Sequence, residues 1–470
     1  MSANLEVFLF YRLAFSFFLY IFAGGMRMKK IYIIAIMLVG ALVAHAQGVL
    51  DIIRHNPTFA VTNYATYPDS ADHPLTPAPA GKHPFYLSHY GRHGSRYINK
   101  RAGYDIPFSM MCRADSLGLL TPIGHEVLSQ IRKIMEDSEM RWGDLTSYGH
   151  QQIRQIAARM IQRFPEIFEG EAYVNARSTT TNRCILTMAS SMLELMKINP
   201  KLKIRMEASM YNMWYMNHQD KLLSNTGMTP AAKAAHDAFA SSRKGNPQLM
   251  SLLFVDPEKA REVVDELQLN YFLIKMGLFQ QHTHLYNKGY LRDIFHDEDF
   301  HRLWEIDNAW WYINFGFYKL NGGRQPYTQR YLLRQLINDA DSCIRMERPG
   351  AQLRFGHDTV LLPLVCLIGV NGFDLETDNL EELESKGWWS SSVFPMASNI
   401  QFIFYRENQE DQDVLFKVLL NEQEATLPIS TDCAPYYHWR DFREHYLKKI
   451  NDYERLRAEE TTDQKQEEPK

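Results

Sequence analysis

The densest chemistry in the chain lies in the stretch Phe85 to Arg96, FYLSHYGRHGSR, where Arg92, His93 and Arg96 fall within five residues. A guanidinium pairs through a planar fork of donors with a carboxylate or phosphate, and an imidazole can act as nucleophile or acid/base near neutrality. Gly91 and Gly94 bracket Arg92 and His93. Two glycines that close give a loop whose backbone can approach a ligand. The pattern reads as an anion held beside an imidazole, and the competing reading is a surface turn with solvated charges. Lys100 and Arg101 follow closely. They either contact further phosphates of a substrate or are ordinary surface charges.

Such a loop needs a scaffold. Phe85, Tyr86 and Leu87 suit the end of a short buried strand after the turn at Gly81 to Pro84. In Glu171 to Met188, residues Ala172 to Ala176 read as a strand and a helix starts around Thr180 to Asn182. Arg177 then falls at a strand-to-helix junction, the position that faces the ligand crevice of an open α/β sheet. Arg183, six residues on, either supports the site or faces solvent. In Ala351 to Leu364 a strand, Gly356 and an apolar helix place His357 and Asp358 at another such junction.

Between these segments, Gly124 to Met135 and Gln151 to Phe164 have apolar residues at helical spacing, with Thr146 or Ser147 positioned to cap the second. From residue 207 to 345 strand-like alternation largely disappears and aromatic and Met residues fall in helical patterns, with Trp310, Trp311, Tyr312 and Phe315 as core. The expected architecture is α/β: a central, mostly parallel sheet flanked by helices (47–206 and 346–440) with an inserted, mostly helical second lobe (207–345). His218, His282, His284, His296 and His301 lack metal-ligand spacing and read as ordinary surface or core histidines. Five cysteines without a CxxC pair argue against a zinc site or a disulfide framework, so no metal and no cofactor is expected.

The 470 residues, 45% hydrophobic and 23% charged with a net charge of −4, suffice for a large core and give no case for nucleic acid. Two apolar segments open the chain. Residues 7–24 are long enough to be a membrane span. Residues 28–46 have a basic start, an apolar run and Ala44-His45-Ala46, the order of a cleavable signal peptide. Translation from Met26 or Met28 would make residues 1–27 an upstream artefact; otherwise they are an apolar anchor. Cleavage after Ala46 predicts a periplasmic or secreted protein with no stable membrane association. The charged, Glu/Gln-rich residues 455–470 read as a frayed tail.

Taken together, Arg92-His93-Gly94-Ser95-Arg96, Arg177 in an Ala-Arg-Ser-Thr context and Gly356-His357-Asp358 resemble the histidine acid phosphatases. These form the branch of the histidine phosphatase superfamily that includes phytases and multiple inositol polyphosphate phosphatases. Leu145-Thr146-x-x-Gly149-x-x-Gln152, Met396 to Ile400 and Val418 to Asn421 are similar to the flanking elements of that family. The resemblance spans about residues 80 to 440. Ile98 stands where the family's RHGxRxP pattern ends in proline, and His-Asp replaces the His-Ala-Glu typical of the inositol polyphosphate phosphatase branch.

The resemblance implies a two-step phosphoryl transfer. His93 would attack phosphorus and form a phosphohistidine, with Arg92, Arg96, Arg177 and His357 holding the equatorial oxygens. Asp358 would protonate the leaving alkoxide, which weights activity toward acidic pH. No metal is called for, because guanidiniums fill the role of a metal clamp. The substrate expected is a small phosphomonoester, phytate or a related inositol phosphate, with a broad-specificity acid phosphatase as the alternative. A non-catalytic phosphate-binding envelope protein would need neither the nucleophile nor the acid. A mutase would reuse the phosphohistidine, which export disfavours.

Overall fold

The computed structural model describes residues 48–68, 73–218, 220–243, 246 and 248–467. The chain divides into two compact units, Met1–Ile52 and Ile53–Lys470. Of the first, the described part is the opening of a helix, Val49–His55. The expected signal peptide and the apolar segment before it lie outside the described residues. Among the described residues, no helix is long and apolar enough to cross a membrane.

The second unit is built on one sheet. Its strands are β1 (His83–Arg92), β2 (Tyr173–Ser178), β3 (Lys203–Ala208), β5 (Gly350–Gly356), β7 (Asn399–Arg406), β8 (Leu415–Leu420), β9 (Gln423–Ala425) and β10 (Tyr437–His438); β4 (Phe317–Tyr318) and β6 (Glu376–Thr377) pair separately. The order is β10-β8-β7-β1-β5-β2-β3, with β9 on β8. β1, β5, β2 and β3 run parallel, whereas β7, β8, β9 and β10 add antiparallel ladders. The α/β class is as expected, but the sheet is parallel in one half only. β1 is the seam between the halves.

The principal helices are α1 (Ala102–Ser116), α2 (Pro122–Ser138), α3 (Ser147–Arg163), α4 (Asn182–Ile198), α5 (Glu266–Phe279), α6 (Asp297–Phe315), α7 (Arg330–Ile344), α8 (Asp358–Ile368) and α9 (Trp439–Glu467). Thr121 and Thr146 cap α2 and α3, each side chain accepting the N–H of the glycine three residues on at 3.0 Å. Strand alternation sorts side chains to two cores. Tyr86, Tyr90, Phe402 and Phe404 meet α7, α8 and α9 on one face, while Leu87, Ala176, Leu353 and Ile403 meet α3 and α4 on the other. α8 is buried at every position except Thr359, and Gly369 ends it in the left-handed conformation (φ 77°).

Between the end of β3 at Ala208 and residue 345, β4 is the one strand assigned among the described residues and the other elements are helices, as the composition suggests. They do not stand apart as a body: α1 and α2, from earlier in the chain, pack on α5 and on the helix Leu249–Leu253. The end of the chain also differs from expectation. Residues 455–467 continue α9, anchored where Arg457 pairs with Asp220 at 2.6 Å and Glu460 with Arg324 at 2.6 Å. Trp311 and Tyr312 are core, whereas Trp310 is exposed.

Candidate active site

β1 does not stop at Leu87. It continues to Arg92, flanked by β5 and β7, and delivers His93 at the carboxyl edge of the sheet. There the chain is tied residue by residue. His93 N–H donates to the Gly356 carbonyl at 3.0 Å and its own carbonyl accepts from Ala397 N–H at 3.1 Å. Gly94 N–H donates to Thr187 Oγ1 at 3.1 Å, and Ser95 N–H to Gln152 Oε1 at 3.1 Å. A Cβ on Gly94 would lie 2.6 Å from the Gly149 carbonyl oxygen, so the two glycines let the loop touch the start of α3. Thr146 completes the clasp: its N–H and its hydroxyl both donate to the Ser95 carbonyl, at 2.9 and 3.1 Å.

His93 Nδ1 donates to the Gly94 carbonyl at 2.9 Å, which leaves Nε2 as the nitrogen with a free lone pair. Burial drives its pKa well below the usual imidazole range, and Arg92, Arg96 and Arg183 push the same way. The ring is therefore neutral and nucleophilic. Arg92 is fully buried; Nη1 donates to the carbonyls of Asn63 (2.6 Å) and Phe394 (2.7 Å), and Nη2 lies 2.8 Å from Asp358 Oδ2. Burial lowers its pKa to about 10, still high enough to keep the charge at neutral pH. Arg96 donates to Tyr64 Oη at 3.1 Å and lies over that ring, 5.1 Å from its centre.

The third guanidinium is Arg183, in the first turn of α4, and not Arg177. β2 runs two residues further than the sequence suggests, to Ser178, so Arg177 lies within the strand. It sits beside Arg354 in the β5 ladder and approaches Gln352 Oε1 (3.3 Å) and Asp339 Oδ2 (3.6 Å). That is the sheet face covered by α7, away from the cluster. Arg183 instead acts electrostatically on His93 and His357, and its Nε, like those of Arg92 and Arg96, is buried without a hydrogen-bond partner. Arg101 pairs with Asp105 at 2.9 Å over the ring of Trp142, and Lys100 is exposed; neither touches the cluster.

His357 and Asp358 open α8. The His357 ring lies 5.9 Å from that of His93, edge to face, with Nε2 3.2 Å from Thr179 Oγ1. Burial lowers its pKa to about 4. Asp358 accepts from Asn63 Nδ2 at 3.0 Å and from Thr359 N–H at 2.9 Å. Burial pushes its carboxyl up, but Arg92 and Arg96 outweigh burial and hold the pKa at about 2. Without substrate, Asp358 is the counter-ion of Arg92.

Sequence reasoning missed Asn63 and Tyr64, which come from the 3-10 segment Pro57–Tyr64 with a left-handed residue at Thr62 (φ 42°). No residue pattern marks that segment. It also treated His282 as ordinary. His282 is fully buried, donates from Nε2 to the Tyr64 carbonyl at 2.7 Å and meets Ser95 Oγ with Nδ1 at 2.8 Å. It joins the helical region to the loop.

A neutral imidazole with a free nitrogen, three convergent guanidiniums and a carboxyl group, at the carboxyl edge of an α/β sheet, define a phosphate-handling enzyme. The family model described as histidine phosphatase superfamily (branch 2) matches residues 91–421, and the chain belongs to that superfamily. It is a phosphoric monoester hydrolase. Human multiple inositol polyphosphate phosphatase 1 is 25% identical over 354 residues, covering 68% of this chain and 70% of its own. The chicken protein of the same name is 22% identical over 320 residues, 64% and 68% of the two chains. Among solved structures, Bifidobacterium longum multiple inositol polyphosphate phosphatase in complex with inositol hexasulfate superposes with a TM-score of 0.67 at 16% identity, over 82% of this chain and 96% of that one. The phytase from D. castellii gives 0.63 at 14%, over 84% and 86%. These likenesses bear out the fold.

Proposed function

We propose that the protein hydrolyses inositol polyphosphates, phytate among them, through a phosphohistidine on His93, as an enzyme exported from the cytoplasm. The observation that carries the mechanism is the fixed tautomer of His93: Nδ1–H is committed to the Gly94 carbonyl, which leaves Nε2 free, and the charges of Arg92, Arg96 and Arg183 act with burial to keep the ring neutral. The two relatives at 25 and 22% identity, both named inositol polyphosphate phosphatases, support the substrate class. Export rests on the order of residues 28–46.

In the first step Nε2 attacks phosphorus and the ester oxygen leaves. The guanidiniums neutralise the equatorial oxygens in a buried setting, where a fixed charge is worth more than in water. A phosphoryl group that engages Arg92 displaces Asp358 from its ion pair. Deprived of that counter-charge, and beside an anion, the carboxyl group takes up a proton and hands it to the leaving alkoxide. In the second step Asp358 receives a proton from water, whose oxygen attacks the phosphohistidine, releasing phosphate and restoring His93.

Steady-state phosphate release from phytate, set against glycerol phosphate and nitrophenyl phosphate, tests the substrate assignment. A kcat/KM for phytate well above both supports it; equal values across the three would replace it with broad-specificity hydrolysis. No release from any ester would favour a binding protein.

A further inference from the structure

At the opposite end of the sheet, the chain brings a thiol, an imidazole and a carboxylate together. Cys433 Sγ lies 3.9 Å from His438 Nε2, and the same nitrogen lies 2.9 Å from Asp432 Oδ1. The three donor atoms are all within 4.8 Å of one another. On the other side of the ring, His438 Nδ1 lies 2.6 Å from Asp413 Oδ1. His438 pairs with Leu415, Leu415 with Tyr405 and Tyr405 with Pro84, so the cluster sits level with the start of β1. Arg92 ends that strand, which at ~3.4 Å per residue places the cluster roughly 25 to 30 Å from the catalytic edge.

We infer that Asp432, Cys433 and His438 form a binding site for a borderline-soft divalent cation of the Zn²⁺ class. Bond lengths of about 2.3 Å to sulfur and 2.0 to 2.2 Å to nitrogen and oxygen put the donor atoms of a tetrahedral site about 3.3 to 3.7 Å apart. The separations of 2.9 and 3.9 Å bracket that range. Asp413 supplies the partner that such sites place behind a histidine: it accepts Nδ1–H, which fixes the ring, so that when a cation displaces the Nε2 proton donated to Asp432 the lone pair faces Asp432 and Cys433. A thiolate and an imidazole select against Mg²⁺ and Ca²⁺, which take oxygen ligands. Asp432 is 84% exposed, so water completes the coordination. Binding releases the Cys433 proton to solvent as the metal–sulfur bond forms, together with any proton on His438 Nε2. CxxC spacing cannot reveal such a mixed set, whose ligands come from Asp-Cys-x4-His.

The competing occupant of this geometry is a proton: an imidazolium bridging Asp413 and Asp432 with no metal. Titration of the full chain with Co²⁺, after chelator treatment and in a phosphine reductant, separates the two. The site predicts one Co²⁺ per chain, a thiolate-to-cobalt charge-transfer band and displacement of Co²⁺ by Zn²⁺. Cys433→Ser must lose the band, and Asp413→Asn must weaken binding by about ten-fold or more. Phosphatase activity in both variants stays within about two-fold of wild type, which reports that they fold. Absence of the band in the wild type, or its persistence in Cys433→Ser, overturns the assignment.

Discussion

At the scale of single residues, the site turns on which guanidiniums face the phosphate. Arg183→Ala is expected to lower kcat/KM by about 10² to 10³, the usual loss for one preorganised donor. Arg177→Ala is expected to leave kinetics near wild type, because Arg177 serves Asp339 and Gln352 on the other sheet face. Phosphate-release kinetics on both variants separate the two residues. Asp358 carries a second prediction. Its carboxyl is ionised down to about pH 2 in the free enzyme, so its proton must arrive with the substrate. A phosphate monoester gives up its second proton near pH 6. kcat/KM should therefore be high below about pH 6 and fall above it. Asp358→Asn should slow phytate by about 10² to 10⁴ yet slow nitrophenyl phosphate far less, since nitrophenolate leaves without a proton. Ile98, where the family pattern has proline, uses the N–H that proline lacks, donating to Tyr104 Oη at 3.1 Å.

At the scale of elements, the catalytic loop depends on its contact with α3. A Cβ at Gly149 would stand 2.2 Å from the Ser95 carbonyl oxygen, a backbone atom that cannot rotate away. Gly149→Ala should cost about 1 to 3 kcal/mol of stability by overpacking and displace Ser95. Thermal melts and kcat measured together check both effects. Much of this scale was legible in the sequence. The cap at Thr146 and the apolar spacing of α3 announce themselves, because local hydrogen bonds and periodicity create them. The fault lay at the end of β2. Placing that end at Ala176 puts Arg177 at a junction; the real end at Ser178 puts it inside the strand, where alternation decides its face. The sequence of that segment has no feature that separates the two endings. The ladder with β5 does.

At the scale of the whole molecule, the site draws on segments far apart in sequence. Asn63 and Tyr64 from the 3-10 segment, Gln152 from α3, Arg183 from α4, His282 from the helical region and Asp358 from α8 meet at one sheet edge. Their sequence order says nothing of that meeting, which long-range packing alone produces. Such a centre has a consequence for stability. Burial holds His89 at about 3 and His282 and His357 at about 4, below the ordinary value of 6.5. The unfolded chain then binds more protons than the folded one between about pH 6.5 and 4, so stability falls as pH falls through that window. Melting temperatures recorded from pH 7 to 4 should decline. Inorganic phosphate should offset part of the decline by binding the folded state. The pH range expected to favour turnover is then one through which the free enzyme is expected to lose stability.

The claim on which the account rests is covalent: phosphate passes through His93 Nε2. Turnover of ³²P-labelled phytate, quenched in alkaline denaturant, tests it most directly, since a phosphohistidine survives alkali and is lost in acid. Label that is bound to wild-type protein, released by acid and absent from His93→Ala is the predicted result. Wild-type protein that turns over phytate without acquiring label, or label that persists in His93→Ala, would contradict it.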